Sequence, residues 1–445
     1  MRPSLLLPLW LGACAPTADL DLTLAQSEVI PTVFSATVDG TATGLDAAWV
    51  EFGRDGDFSL RAPLDIAADP PWEVALIGMK PLSDYEARIG VQLGGETYTG
   101  RAHAVSTGGI PAELPDLTLE RSGDDGFEGF LVTSILGIPT AAAILDRDGE
   151  YVWWYIPDGI EQVGRAVLAL DGRGVIAMDV NPTPGEHGSF QRVSWDGTEV
   201  ETTELSWGHH DLYEHADGTI AYLAADPAEV GGTEVAGATL VERAPDGTAT
   251  TLWNVWDYQD LFTVEATGGE PLRAWPHANA LDYLPGEDAY LASFLYLDAI
   301  LKVDRASGDL VWVLGGEASD FSLPGGETAI FDRTHHMQRL DDSLLVFVNG
   351  SAQGGESYAL ELAFDEADPQ VEPVWEYHPD PALSCITMGD VHRFDGGDTL
   401  VTFSYSGQIH EVTPEAEVVW KLSSSVGGTF GYVTPAEDLY TARGR

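Results

Sequence analysis

A phrase repeated along this chain leaves few folds open to it. A short strand, often entered through His, passes an Asp/Gly turn into a second apolar strand, and a third strand closes on Trp. The phrase runs from His210 through Asp217-Gly218 to Ala221-Tyr222-Leu223, and from His277 through Gly286 to Tyr290-Leu291-Ala292. It recurs from His336 through Asp341-Asp342 to Leu344-Leu345-Val346-Phe347 and, without the His, from Val391 through Gly396-Gly397 to Leu400-Val401-Thr402-Phe403. The closing strands end at Trp253, Trp312, Trp375 and Trp420. Two weaker copies precede these, one through Leu145-Asp146 to Trp153-Trp154 and one through Leu170-Asp171-Gly172 to Trp195-Asp196-Gly197. Six copies at a spacing of roughly forty to sixty residues predict radially repeated sheets, a six-bladed β-propeller. The first strand of each blade then lines a central channel, where His210, His277 and His336 share one repeat position. Repetition of a fold element explains the Trp and Gly, but it does not require His.

The 49 Gly and 26 Pro, with no long helical periodicity, fit an all-β chain. Asp and Glu outnumber Lys and Arg by 72 to 21, a formal net charge of -51. That charge argues against nucleic acid as a partner, because neutralising phosphates is the main source of such affinity.

The N-terminus carries Arg2, an apolar run from Leu5 to Leu11, and then Leu11-Gly12-Ala13-Cys14. The order of basic, apolar and small residues is that of an export signal, too short to span a membrane as a helix. Residues 1–14 resemble a bacterial lipoprotein signal, which implies a lipidated Cys14, a membrane anchor, and a periplasmic or outer-membrane location. The only other cysteine, Cys385, reads as a buried small residue with no base beside it. Residues 15–27, small and acidic, read as a tether. From 28 to 107 short alternating strands predict a small β-sandwich. There Met79-Lys80-Pro81-Leu82-Ser83-Asp84-Tyr85 resembles the tyrosine corner of fibronectin type III domains. A linker over 108–116 leads into the propeller, 117–445, whose last segment, Gly431 to Tyr440, is apolar enough to close the ring as one more strand.

Four motifs carry the chemistry: Trp207-Gly208-His209-His210-Asp211-Leu212, Trp275-Pro276-His277-Ala278-Asn279-Ala280-Leu281, Thr334-His335-His336-Met337 and Phe347-Val348-Asn349-Gly350. With the closing Trp residues they resemble the bacterial arylsulfate sulfotransferase family across the propeller. That resemblance implies a periplasmic enzyme moving a sulfuryl group from a phenolic sulfate ester to a phenol acceptor through a sulfated histidine, with no cofactor. It implies His336 as nucleophile, His277 at the sulfuryl or leaving oxygen and His210 in the same pocket. Asn279 belongs to the His277 motif, and His209 and His335 are register alternatives to their neighbours. A neutral imidazole is a competent nucleophile near pH 7 and leaves again readily. Trp207, Trp275 or Phe294 would wall a phenolic ligand.

The family's arginine, in a Ser-x-Arg context, is replaced here, because the chain reads Ser293-Phe294-Leu295. Leu donates nothing to an oxyanion. Arg165 is the candidate replacement, with Arg273 and Arg333 as alternatives. Three histidines could instead hold a metal, but no carboxylate or Cys accompanies them at a shared spacing, so none is expected. His103, His187, His215, His378 and His410 read as structural, and His392 lies on an inner strand off the shared position. The loss of the arginine leaves a second reading open, a propeller lipoprotein that binds or scaffolds without turnover. Oligomeric state is not legible.

Overall fold

The computed structural model describes residues 17–122, 126–180, 188–264, 275–351 and 355–441. Cys14 and the export signal, Arg273 and His187 lie outside them. The chain divides after Gly109 into two compact units.

The first unit holds two antiparallel sheets. In one, Phe34–Thr43 pairs with Thr17–Gln26 and Trp72–Leu76; in the other, Leu45–Arg54 pairs with Asp57–Pro63 and Asp84–Leu93. The stretch expected as a tether is therefore a strand, in register from Thr17 opposite Thr43 to Gln26 opposite Phe34. Its Leu20, Leu22 and Leu24 alternate with Asp21 and Thr23, and that period of two outweighs the acidic composition. Tyr85 forms the corner as its motif predicts, since the Lys80 N–H donates to Tyr85 Oη at 2.9 Å.

The second unit is a six-bladed propeller of antiparallel four-stranded sheets. Blades 2 to 5 are consecutive in sequence, with inner strands Val163–Leu168, Gly208–Glu214, Ala278–Leu284 and Thr334–Arg339. Blade 6 starts at Asp390–Arg393. The ring closes twice. C-terminal Phe430–Ala436 is the inner strand of blade 1 and pairs with Phe130–Ile135, while Leu117–Arg121 adds a fifth, outer strand to blade 6 beside Val418–Ser424. Both ends of the unit are thus held in ladders.

The repeated Trp joins blades. The indole N–H of Trp153 donates to the Trp195 carbonyl at 2.8 Å, that of Trp375 to Pro414 at 2.9 Å and that of Trp420 to Arg147 at 2.9 Å. Each acceptor sits in the hairpin between the third and fourth strands of the next blade around the ring. Blade 2 departs from the pattern: Trp195 lies in its hairpin and its outer strand, Val200–Leu205, has no Trp. Apolar side chains fill the gaps between blades, as where Trp253, Tyr290 and Phe294 meet between blades 3 and 4.

Candidate active site

Strand register brings one residue from each inner strand to a common level on the channel axis: Arg165, Asp211, Ala280, His336, Asp390 and Tyr432. In blades 2, 4 and 5 a bulge immediately precedes that position, and in blade 3 the irregular stretch between Gly208 and Leu212 contains it. His210 and His277 thus do not share the register of His336; they sit one and three residues earlier, at the strand entries. Both adopt left-handed backbone, with φ of 64° and 59°, as does Arg333 at 59° in the place that corresponds to His277. The correspondence is marked by hydrogen bonds. The Leu295 N–H donates to the His277 carbonyl and the Asn349 N–H to that of Arg333, each at 3.0 Å.

The axial level is charged and closed. Arg165, 2% exposed, places Nε 3.3 Å from Asp211 Oδ1 and Nη1 3.8 Å from Asp390 Oδ2, with its guanidinium 4.8 Å from the Tyr432 ring centre. Asp211 also accepts from the Leu281 N–H at 2.9 Å, and Asp390 from the Val433 N–H at 2.6 Å, so each carboxylate stitches its blade to the next. His336 Nδ1 lies 2.7 Å from Asp390 Oδ1. Burial raises the Asp390 carboxyl, but His336, Arg165 and the Val433 N–H outweigh it and hold the group below the usual carboxylate range. Arg165 does reach the channel, as its spacing suggests, but there it braces two carboxylates.

Four histidines gather on the entry side of this level. His209 and His210 approach through their Nδ1 atoms at 2.8 Å, and the His210 and His277 rings lie 4.8 Å apart, edge to face. Burial, then His277, pushes His209 down to about 3. Burial, then His277, His209 and His335, pushes His210 well below the ordinary imidazole value. His277 falls to about 4 through burial and then Arg333. The cluster is neutral at pH 7, so what its rings can offer is N–H donation rather than charge.

His335 is fully committed. The Met388 N–H donates to its Nε2 at 3.0 Å, so the ring proton is on Nδ1 and donates to Asn349 Oδ1 at 2.7 Å. Asn349 is fixed in turn by donating to the Cys385 and Met388 carbonyls. Between the two neighbours of the Thr334-His335-His336 motif, only His336 is left without a second-nitrogen partner among the described residues. Asn279 is spent as well: its amide donates to the Thr334 carbonyl at 2.7 Å and accepts from Ser293 Oγ, tying blade 4 to blade 5.

Phe294, 1% exposed, packs between blades against Trp253 and does not reach the site. Trp275, with Phe262, Tyr296 and Phe331, lines a cavity of about 280 Å³ to which Asp298 and Glu317 also contribute. Tyr296, which sequence reasoning passed over, belongs to both regions, with its ring 5.4 Å from His277 and the Arg333 guanidinium 5.4 Å from its centre. Leu295 is buried, 4% exposed. On the far side of the axial level His392 lines a larger cavity, about 710 Å³, with Tyr213, Gln338 and Thr434. The remaining histidines read as structural include His215, on Tyr290, and His410, on Tyr377. Burial raises the Cys385 thiol to about 11 and suits it to packing.

A six-bladed propeller with a histidine cluster at one end of its channel defines the class. Residues 130–425, more than half of the chain, match the arylsulfotransferase (ASST) family model, and the chain belongs to that family of transferases. No curated protein matches it. Among solved structures it is similar to a putative 6-phosphogluconolactonase from Bacteroides uniformis, at 14% identity over 70% of this chain and 84% of that one, TM-score 0.41. It is also similar to a streptogramin B lyase, at 12% identity over 70% and 89%, TM-score 0.40. A third is a nidogen/laminin complex, at 10% over 75% and 94%, TM-score 0.39.

Proposed function

We propose that the protein transfers a sulfuryl group from a phenolic sulfate ester to a phenol acceptor through a sulfohistidine at His336. The observation that carries this reading is the convergence of the family-matched histidines. His210 and His277 are in ring contact, and the strand of His336 is tied to that of His277 by the Asn279 amide. His336 Nε2 forms a bond to sulfur while the S–O bond to the aryl group breaks, and the electron pair leaves on the phenolate. The acceptor oxygen then attacks the same sulfur, and the N–S pair returns to the ring. The phenolate leaves as the anion and is protonated by solvent, and in the second half-reaction neutral His277 takes the proton of the acceptor as its oxygen attacks and returns it to solvent.

Arg333 supplies the cation that Leu295 no longer provides. Its charge is felt at both His277 and His335, and no ion pair engages it among the described residues. The aryl ring seats against the aromatic side of that cavity, on Tyr296 and Trp275. The same reading places the mature chain outside the cytoplasm, anchored through Cys14; globomycin-sensitive processing would support it, and a freely soluble mature form would count against it.

Purified protein incubated with 4-nitrophenyl sulfate and a phenol acceptor tests the reaction. Acceptor-dependent nitrophenolate release that disappears in His336→Ala is the expected result. Release that persists in His336→Ala would exclude the sulfohistidine. No release across several donors would leave a protein that binds sulfate esters without turnover, which Leu295 favours.

A further inference from the structure

The geometry points to Asp390 as the positioning residue for His336, holding the imidazole proton on Nδ1 and leaving the Nε2 electron pair for sulfur. This rests on the sulfuryl-transfer reading above. The carboxylate is anchored independently of the ring it faces. Its Oδ2 accepts from the Val433 N–H at 2.6 Å and its Oδ1 from the Val391 N–H at 2.8 Å, with Arg165 Nη1 3.8 Å from Oδ2. Asp390 is 2% exposed, so no solvent competes for the remaining lone pairs.

A second observation concerns the chain just before it. Met388, held at φ 58°, presents its N–H to His335 Nε2, and two residues on Asp390 faces His336 Nδ1. One short segment of blade 6 thus sets the proton positions of both adjacent rings, and in opposite senses. His335 has its Nε2 capped and is inert, whereas His336 has its Nδ1 covered and its Nε2 left over.

The approach of Asp390 to His336 is close but not aligned as a hydrogen bond in the resting site. Contacts of this type tighten when charge develops. When Nε2 bonds sulfur and the phenolate departs, the proton on Nδ1 stays and the ring becomes a cation beside the carboxylate. When the acceptor attacks, the N–S pair returns to Nε2 and the charge vanishes. Asp390 therefore stabilises the intermediate and both flanking transition states, but not the free ring to the same extent. Arg165 from blade 2 and Tyr432 from blade 1 face the same pair, and Asp211 from blade 3 takes part of the Arg165 charge, which leaves Asp390 able to respond to the ring.

Asp390→Asn keeps the shape and removes the charge. The expected result is a fall in kcat on the order of 10²- to 10⁴-fold, with KM for 4-nitrophenyl sulfate within about threefold of wild type. Equal kcat in a folded Asp390→Asn protein would overturn the assignment while leaving sulfuryl transfer intact. Because that variant removes a buried charge, nitrogen-15 NMR of the His336 imidazole in the wild-type protein gives an independent decision. A ring protonated on Nδ1 supports the assignment, and one protonated on Nε2 overturns it. The NMR result stands even if the wild-type protein shows no turnover, so a failed reaction and a failed positioning role are separable.

Discussion

At the scale of single residues, hydrogen-bond bookkeeping separates neighbours that the sequence leaves equivalent. Thr334-His335-His336 offers two candidate nucleophiles, and both are histidines on an inner strand. The choice falls to Asn349, fourteen residues on, and to Met388 in another blade, which together occupy both nitrogens of His335. His335→Gln is therefore expected to lower thermal stability, because it leaves buried partners unsatisfied at about 1–3 kcal/mol. Arg333→Ala is expected to lower kcat/KM for an aryl sulfate on the order of 10²-fold with Tm almost unchanged, since the side chain is half-buried and bound by no described carboxylate. Arg165→Ala should do the reverse and destabilise first, by about 3–5 kcal/mol, because Asp211 and Asp390 would be left buried without their cation. Thermal unfolding of the two arginine variants beside their kinetics distinguishes a clamp from a brace. The Arg165 spacing gave its direction into the channel, but no sequence pattern announced the two carboxylates awaiting it.

At the scale of elements, the sequence was most legible where a pattern repeats locally. The turns, the alternating strands and the Trp that closes every blade but the second all depend on residues within one sheet or one neighbouring hairpin. Trp420→Phe keeps the aromatic volume and loses the bond from the indole N–H to the Arg147 carbonyl, so a loss of about 1 kcal/mol is expected in chemical denaturation. The Thr17–Gln26 strand was obscured because its acidic residues occupy the exposed face and dominate composition, although its leucines alternate. Phe430–Ala436 has a larger consequence. It supplies the inner strand of blade 1 and carries Tyr432 to the axial level. A chain ending before Phe430 is expected to lose the sharp unfolding transition of the propeller, which calorimetry would register as a broad or missing peak, because two blades lose a neighbour at once.

At the scale of the whole molecule, buried neutral histidines tie stability to pH. His209 and His335 are lowered to about 3, and His277, His392 and His410 to about 4, with burial the leading cause in each. In the unfolded chain these groups take up protons near pH 6.5, whereas the folded chain excludes protons until about pH 3–4. The stabilisation is complete above pH 6.5 and is lost as pH falls through the folded values, so Tm should drop steadily from pH 6.5 toward 4. A Tm that rises over that interval would contradict neutral burial. The number of blades, their order and the presence of histidines on inner strands follow from periodicity and turn chemistry carried by short segments. Tertiary structure alone decided that Arg165, Asp211, His336, Asp390 and Tyr432 stand at one level, because ring closure sets beside each other residues up to 267 positions apart in the numbering, Arg165 and Tyr432. Which imidazole nitrogen lacks a partner there among the described residues depends on donors and acceptors from three blades, and no local pattern records that arrangement.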